Sequence, residues 1–231
     1  MRTLREDTGP LLAISSGNEL TPYAVAPADA TKARAQAAAY ALMDYDLWLL
    51  TAGDAEALDL AGNDVGEETW IRPDGVDTVF LHPAPDLEVA AVLLPGLPIG
   101  VDAVDKRTRT RLGRAVVEAR RRADLVVAVG AWGFFAEEKY FKSGPEHLPD
   151  IFIGGGPGMG LSGRLEAAGR CLWVRPYGRG KAVGLVELLA LPDSSLDFSW
   201  KKDNTILFRV QSLDDHQQPH PAVVDLLKGV Q

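Results

Sequence analysis

A glycine-rich segment in the second half of the chain has the composition of an anion-binding loop. The strand-like segment 148–153 ends at residues 154–160, most of which are glycine. Backbone N–H groups of such a loop can converge on an anion. Cationic residues follow along the chain: Arg175, Arg179 and Lys181. The sequence therefore predicts a small anionic ligand here, contacted by Gly156, Gly158 and Arg179.

An aromatic group follows another strand-like run, residues 123–130. Trp132, Phe134 and Phe135 lie where that run ends. Exposed aromatic side chains of this kind carry much of the binding energy of protein interfaces. The same group is equally suited to covering the core. If these side chains are exposed, we expect them to bind a protein partner whose identity the sequence does not give.

Apolar periodicity predicts the elements that hold these residues. Helices are predicted at 28–43, 108–122 and 219–230, with one or two helical turns at 55–61. Strands are predicted at 11–18, within 44–53, and at 76–82, 87–94, 125–129, 148–153, 171–175, 182–191 and 205–211. This order indicates an α/β fold with mixed sheets. Strands that end in glycine loops at one sheet edge form a ligand crevice in many such folds.

Composition limits the possible partners. The 231 residues carry a net charge of -8, which argues against nucleic acid as a general partner. The basic segment 106–122 fits one exposed helix face and is interpreted as solvated. The single cysteine, Cys171, excludes an intramolecular disulfide. No apolar run is long enough for membrane insertion, and the charged segment 1–10 does not resemble a signal peptide. We therefore expect a cytoplasmic chain as written, or an exported one if a segment precedes Met1.

The sequence matches some common catalytic motifs poorly. The G-x-G-x-x-G pattern at 158–163 suits a dinucleotide site only if a helix follows, and residues 164–168 leave little room for one. The G-x-S-x-G motif of serine hydrolases is absent. The adjacent residues Glu137 and Glu138 must point apart, so we interpret both as solvated and not as an acid–base pair.

The order of the motifs resembles that of the calcineurin-like metallophosphatases, in particular their 5′-nucleotidase branch. The matching segments are 16–18 (Ser-Gly-Asn), 45–56 (Tyr-Asp to Asp-Ala-Glu), 130–133 (Gly-Ala-Trp-Gly), 154–158 (Gly-Gly-Gly-Pro-Gly) and 220–227 (His-Pro-Ala-Val-Val-Asp-Leu-Leu). The resemblance extends over residues 11–231. It implies a single metallophosphatase-like domain over 1–231, an α/β fold with a β-sandwich of mixed sheets flanked by helices, from which the family's first strand is missing.

The resemblance also implies that the family's metal ligands are largely replaced. Its bridging carboxylate corresponds to Asn18, and its asparagine ligand corresponds to Asp54. Its histidines correspond to small residues: Ala55, Ala131, Gly156 and Gly158. Asp54 and Glu56 remain as carboxylates, and two carboxylates cannot hold a catalytic pair of cations. We therefore expect no metal, no other cofactor and no catalytic residue. The positions that remain as a degenerate ligand site are Asn18, Asp54, Glu56, Gly156, Gly158 and Arg179.

Two functions stay open on this basis. The first is a pseudoenzyme, that is, a non-catalytic binding, scaffold or regulatory subunit. The alternative is a divergent metal-dependent phosphoesterase, similar to a 5′-nucleotidase, whose remodelled site uses Asn18, Asp54 and Glu56. Bound metal with turnover would favour the hydrolase, whereas a closed, packed segment at 154–158 would favour the scaffold.

Overall fold

The computed structural model describes residues 9–21, 30–62, 69–98, 100–193, 198–213 and 218–228. In chain order, its helices and strands are β1 Ile14–Ser15, α1 Ala30–Ala41, β2 Leu47–Leu49, α2 Ala52–Ala61, β3 Trp70–Ile71, β4 Asp77–Ala84, β5 Leu87–Leu93, α3 Lys106–Ala119, β6 Leu125–Gly130, α4 Phe134–Lys142, β7 Ile151–Gly154, β8 Leu161–Glu166, β9 Cys171–Arg175, β10 Ala182–Leu188, β11 Ile206–Ser212 and α5 Pro221–Leu227. The chain divides into two compact units, residues 1–72 with 215–231 and residues 73–214. Each unit is described by itself.

The smaller unit contains a parallel sheet in the order β1-β2-β3. Trp48 of β2 is fully buried and meets Trp70 of β3 edge-on, with 4.3 Å between ring centroids. Ala37 of α1 and Ala57 of α2 belong to the same apolar cluster. The alanine-rich helix predicted from the sequence is thus confirmed, although its first residues, 28 and 29, lie outside the described part of the chain.

The larger unit is built on a mixed sheet of six strands in the order β4-β5-β6-β7-β9-β8. Strands β5, β6, β7 and β9 run parallel, whereas β4 and β8 pair antiparallel at the two edges. The parallel strands are apolar runs because both of their faces are covered. Leu112 and Val116 of α3 pack in one core with Phe152 of β7 and Trp173 of β9. The predicted α/β fold with mixed sheets is confirmed.

The parallel strands bring three chain segments to one edge of this sheet. Gly130, at the end of β6, pairs with Gly154, at the end of β7. Strand β9 is the next neighbour and ends at Arg175. Ligand sites of open α/β sheets lie at this carboxyl edge. The glycine-rich segment and the aromatic group therefore lie at the same edge.

Several segments differ from the predicted elements, each for a physical reason. Pro83 lies inside β4, because β4 is an edge strand whose register shifts between Leu81 and Ala84. Residues 161–166 form β8, so the G-x-G-x-x-G pattern leads into a strand and not into a helix. Residues 134–142 form α4, a helix that the residue pattern did not predict because phenylalanine and tyrosine are only moderate helix formers.

The helices are short. The longest in the described part of the chain, α3, has 14 residues. Within that part, none is both long and apolar enough to span a bilayer.

Candidate functional site

Asp54 lies in the first turn of α2 and is fully buried. Its Oδ1 accepts hydrogen bonds from the backbone N–H groups of Leu20 at 2.9 Å and Thr21 at 3.3 Å. Its Oδ2 accepts one from the N–H of Asn18 at 2.8 Å. Thr51 donates its N–H at 3.0 Å and its hydroxyl at 2.7 Å to the same oxygen, and its Oγ1 accepts from the N–H of Asp54 at 3.3 Å, which completes a capping box. Asp54 therefore fixes the segment 18–21 to the start of α2.

The other predicted site residues of this unit differ in their surroundings. Asn18 has a φ of 63°, a left-handed conformation that asparagine tolerates better than most residues. The backbone N–H of Asn18 donates a hydrogen bond to Oδ2 of Asp54. Glu56 is exposed on α2. Of the three predicted residues, Asn18 and Asp54 are in contact.

The described residues around Asp54 do not supply the ligands of the two-metal centre of the metallophosphatases. Such a centre needs several carboxylates and imidazoles with free lone pairs to hold both cations. Both oxygens of Asp54 are already engaged by N–H and O–H donors. Among the described residues, no group of three or more His, Cys, Asp or Glu side chains is arranged to hold a metal ion.

In the larger unit, the glycine-rich segment after β7 packs directly against the chain that follows β6. The N–H of Phe134 donates to the carbonyl oxygen of Pro157 at 2.8 Å. A Cβ at Gly156 would lie 2.6 Å from the carbonyl oxygen of Ala131, and one at Gly158 would lie 2.4 Å from the Cβ of Phe134. Both glycines have positive φ, 73° and 115°. These positions are glycine because two backbone segments approach each other closely.

Glu137 of α4 and Arg175 of β9 form a buried ion pair beside this segment. Oε1 of Glu137 lies 2.5 Å from Nη1 of Arg175, and the two side chains are 0% and 2% exposed. Oε1 also accepts from the N–H of Gly155 at 3.1 Å, and Oε2 accepts from the indole N–H of Trp173 at 2.8 Å. Burial raises the pKa of Glu137 from 4.5 to about 7, although Arg175, Trp173 and Gly155 all act to lower it.

The guanidinium of Arg175 connects this carboxylate to the loop. Its Nε donates to the carbonyl oxygen of Met159 at 3.0 Å, and its Nη2 donates to those of Gly156 at 3.0 Å and Pro157 at 3.2 Å. Arg175 is therefore a structural residue of the loop. The side chain of Arg179, and with it the predicted contact to an anion, lies outside what the structure describes.

The interpretation of Glu137 as a solvated residue is wrong. The available signal is the spacing of Phe134, Tyr140 and Phe141, which places Glu137 on the same face of a helix as these apolar residues. That signal depends on recognising α4 first. Glu138, in contrast, is partly exposed and pairs with Lys142 at 2.9 Å.

The three residues of the aromatic group differ in how much of each side chain is buried. Trp132 is a core residue, 3% exposed, and its indole N–H donates to the carbonyl oxygen of Pro95 at 2.9 Å. Phe134 is partly buried and stacks on Trp173 with 5.3 Å between ring centroids. Phe135 is 66% exposed. Phe135 is therefore the member of the group that presents most of its side chain to solvent.

Other exposed apolar residues lie at the same sheet edge. Met159 is 64% exposed, and Tyr177 is 39% exposed. Met159 stands between Gly158, which abuts Phe134, and Gly160, which abuts Tyr177. We refer to Phe135, Met159 and Tyr177 as the apolar rim.

Comparison with known proteins identifies the fold. No protein-family model and no curated protein matches the sequence. A 5′-nucleotidase from Candida albicans matches with a TM-score of 0.61 and 14% identity, over 98% of this chain and 50% of its own. A protein from Staphylococcus aureus, described as a 5′-nucleotidase in complex with α-ketoglutarate, matches with a TM-score of 0.59 and 14% identity, over 98% of this chain and 51% of its own. The chain thus spans about half the length of these structures. It has the α/β fold of the 5′-nucleotidase-like metallophosphatases, as the sequence resemblance predicted.

Proposed function

We propose that this protein is a non-catalytic, metallophosphatase-like binding or scaffold protein that acts as a structural or regulatory subunit for a protein partner. The observation that carries the proposal is the environment of Asp54. This carboxylate stands where the family has a metal ligand, yet both of its oxygens accept hydrogen bonds from the protein itself. Asp54 thus stabilises the fold at a position where a metallophosphatase binds a catalytic metal ion.

The packing of the glycine-rich segment supports the same proposal. Gly156 and Gly158 stand where the family has metal-binding histidines, and neither position has room even for a methyl group. Arg175 and Glu137 occupy the interior beside them as a buried ion pair, with hydrogen bonds to Gly155, Gly156 and Trp173. The close packing and these hydrogen bonds therefore hold this edge of the sheet rigid.

The apolar rim is the surface that we assign to the partner. Large exposed apolar side chains grouped at one edge are typical of protein-binding sites. The rim lies at the carboxyl edge of the sheet, next to a loop that Arg175 holds in place. A rigid support of this kind lowers the entropy cost of binding.

The alternative is a divergent metal-dependent phosphoesterase that uses Asn18, Asp54 and Glu56. Its support is the description of both matching structures as 5′-nucleotidases. For this function, Asp54 would have to give up hydrogen bonds that hold the segment 18–21, and the exposed Glu56 would have to supply the second carboxylate.

Metal content and turnover, measured on one sample, distinguish the two functions. The purified protein is incubated with excess manganese and desalted, its metal is quantified by mass spectrometry, and hydrolysis of adenosine monophosphate and of bis-p-nitrophenyl phosphate is followed. We expect no stoichiometric metal and no hydrolysis above that of Glu56→Gln. This variant is a suitable reference because Glu56 is exposed on α2, so its loss leaves the fold intact. Stoichiometric manganese with turnover that Glu56→Gln abolishes would overturn the proposal.

A further inference from the structure

Helix α3 and the turn that follows it concentrate positive charge on an acidic protein. Residues 106–122 contain eight cations, whereas the whole chain carries a net charge of -8. Leu112, Val116 and Ala119 bury one side of the helix in the core of the larger unit. The charged side chains therefore occupy the side that faces solvent.

Three arginines form a row along this exposed side. Arg107, Arg114 and Arg121 are all exposed, and their spacing of seven residues brings each back to nearly the same face, about 10 Å further along the axis. Arg121 lies just after the helix, where its N–H still donates to the carbonyl oxygen of Glu118 at 3.2 Å. The row is thus about 20 Å long.

Most of these cations have no anionic partner. Arg120 pairs with Asp150 at 2.7 Å, and Arg122 pairs with Glu88 at 2.6 Å. Within the described part of the chain, no carboxylate lies within 4.0 Å of the remaining cations: Lys106, Arg107, Arg109, Arg111, Arg114 and Arg121. The Nε of Arg109 is in addition buried without a hydrogen-bond partner. Unpaired charge of this density is a strong attraction for an anion.

A cleft of about 620 Å³ runs beside the row, between α3 and the segment 143–147. Its lining includes these cations: Lys106, Arg109, Arg114 and Arg121. Its apolar part is formed by Val117 and Pro145. Glu118 and Glu146 also line it, so the cleft carries two negative charges against four positive ones.

We propose that this cleft and the arginine row bind an extended acidic segment of a partner protein, an interaction beyond the function proposed above. An extended peptide rises about 3.4 Å per residue, so about six residues span the row. Arginine suits carboxylates because its planar guanidinium donates two parallel hydrogen bonds. The apolar part of the cleft gives side chains of a peptide a surface to pack on.

The cleft suits a peptide better than a nucleic acid. Single-stranded nucleic acids bind on aromatic side chains that stack with the bases. No aromatic ring other than the imidazole of His147 is among the described residues that line the cleft.

Fluorescence polarisation with a fluorescein-labelled peptide of eight glutamates tests the assignment. We expect the wild type to bind this peptide with an affinity that falls as salt is added, because counter-ions screen exposed charges. We expect the double variant Arg114→Gln/Arg121→Gln to bind about fivefold more weakly. The matched control is Arg170→Gln/Arg209→Gln, which removes two exposed charges of the same unit outside the cleft and should bind like the wild type.

Three results would overturn the inference. One is failure of the wild type to bind the peptide at low salt. Another is an equal loss of affinity in the two double variants, because the binding would then follow net charge and not the cleft. The third is tighter binding of a labelled octathymidylate than of the peptide, which would assign this face to nucleic acid. Circular dichroism of both variants verifies that they are folded.

Discussion

Asp54 is a fully buried carboxylate that stabilises the fold through its hydrogen bonds. A buried carboxylate is stable only if its lone pairs are satisfied. Here the N–H groups of Asn18, Leu20 and Thr21 and both donors of Thr51 satisfy them. The contribution of Asn18 to this set comes from its backbone N–H.

Asp54→Asn is therefore expected to destabilise the protein. The amide offers one acceptor oxygen in place of two, and its NH₂ group would face backbone N–H donors. We expect the free energy of unfolding to fall by about 2 kcal/mol, measured by urea denaturation. Glu56→Gln, on the exposed side of the same helix, should change it by less than about 0.5 kcal/mol. Similar losses in both variants would contradict the role of Asp54.

The burial of Glu137 makes the stability of the folded protein depend on pH. Its pKa in the folded protein is raised to about 7, so between about 4.5 and about 7 the folded state binds a proton that the unfolded state has released. Its contribution to stability is complete below the unfolded pKa and is lost as the pH rises through the folded one. The shift corresponds to about 3 kcal/mol.

A comparison of the wild type with Glu137→Gln isolates this contribution. Glutamine does not titrate, so the wild type should lose about 3 kcal/mol of unfolding free energy relative to the variant between about pH 4 and about pH 8. Urea unfolding at several pH values measures the difference. A difference that stays constant over this range would show that Glu137 is ionised throughout.

At the scale of the elements, the carboxyl edge of the sheet depends on glycines, because they allow neighbouring strands and side chains to approach the backbone closely. Strands β6 and β7 end side by side at Gly130 and Gly154. A Cβ at Gly154 would lie 2.0 Å from Oε2 of Glu137. Strand, loop and α4 therefore form one packed assembly around the Glu137–Arg175 pair.

Gly154→Ala should disturb that assembly. We expect a loss of about 3 kcal/mol in unfolding free energy, because the methyl group would displace a buried carboxylate from its partners. Gly184→Ala is the matched control. Gly184 lies in β10 without a positive φ, and apart from Gly184 and its two chain neighbours no atom of the described residues lies within 4 Å of the place that its methyl group would take. Thermal and urea unfolding of both variants measure the contrast, and equal stabilities would refute the packing argument.

At the scale of the whole molecule, charge is distributed unevenly. Residues 106–122 carry eight cations and Glu118, a net +7, which leaves -15 for the rest of a chain of net charge -8. A basic face on an acidic protein attracts anionic partners locally, since the range of exposed charges is about 8 Å at physiological salt. The 5′-nucleotidase-like fold thus presents two separate surfaces for our proposals, the apolar rim and the basic cleft, both in the larger unit.

The sequence by itself determined the class of fold. Apolar runs that end in glycine predicted the strands β6 and β7, and alanine content predicted α1, because these signals are local. The order of the motifs along residues 11–231 predicted the 5′-nucleotidase-like fold.

Only the tertiary structure decided what the remaining polar residues do. Asp54 and Glu137 are carboxylates in helices whose sequences do not reveal their long-range partners. Asp54 meets Leu20 across 34 positions, and Glu137 meets Trp173 across 36. Burial of Trp132 and exposure of Phe135 likewise depend on how α4 packs on the sheet. Such contacts join distant parts of the chain, and no local pattern encodes them.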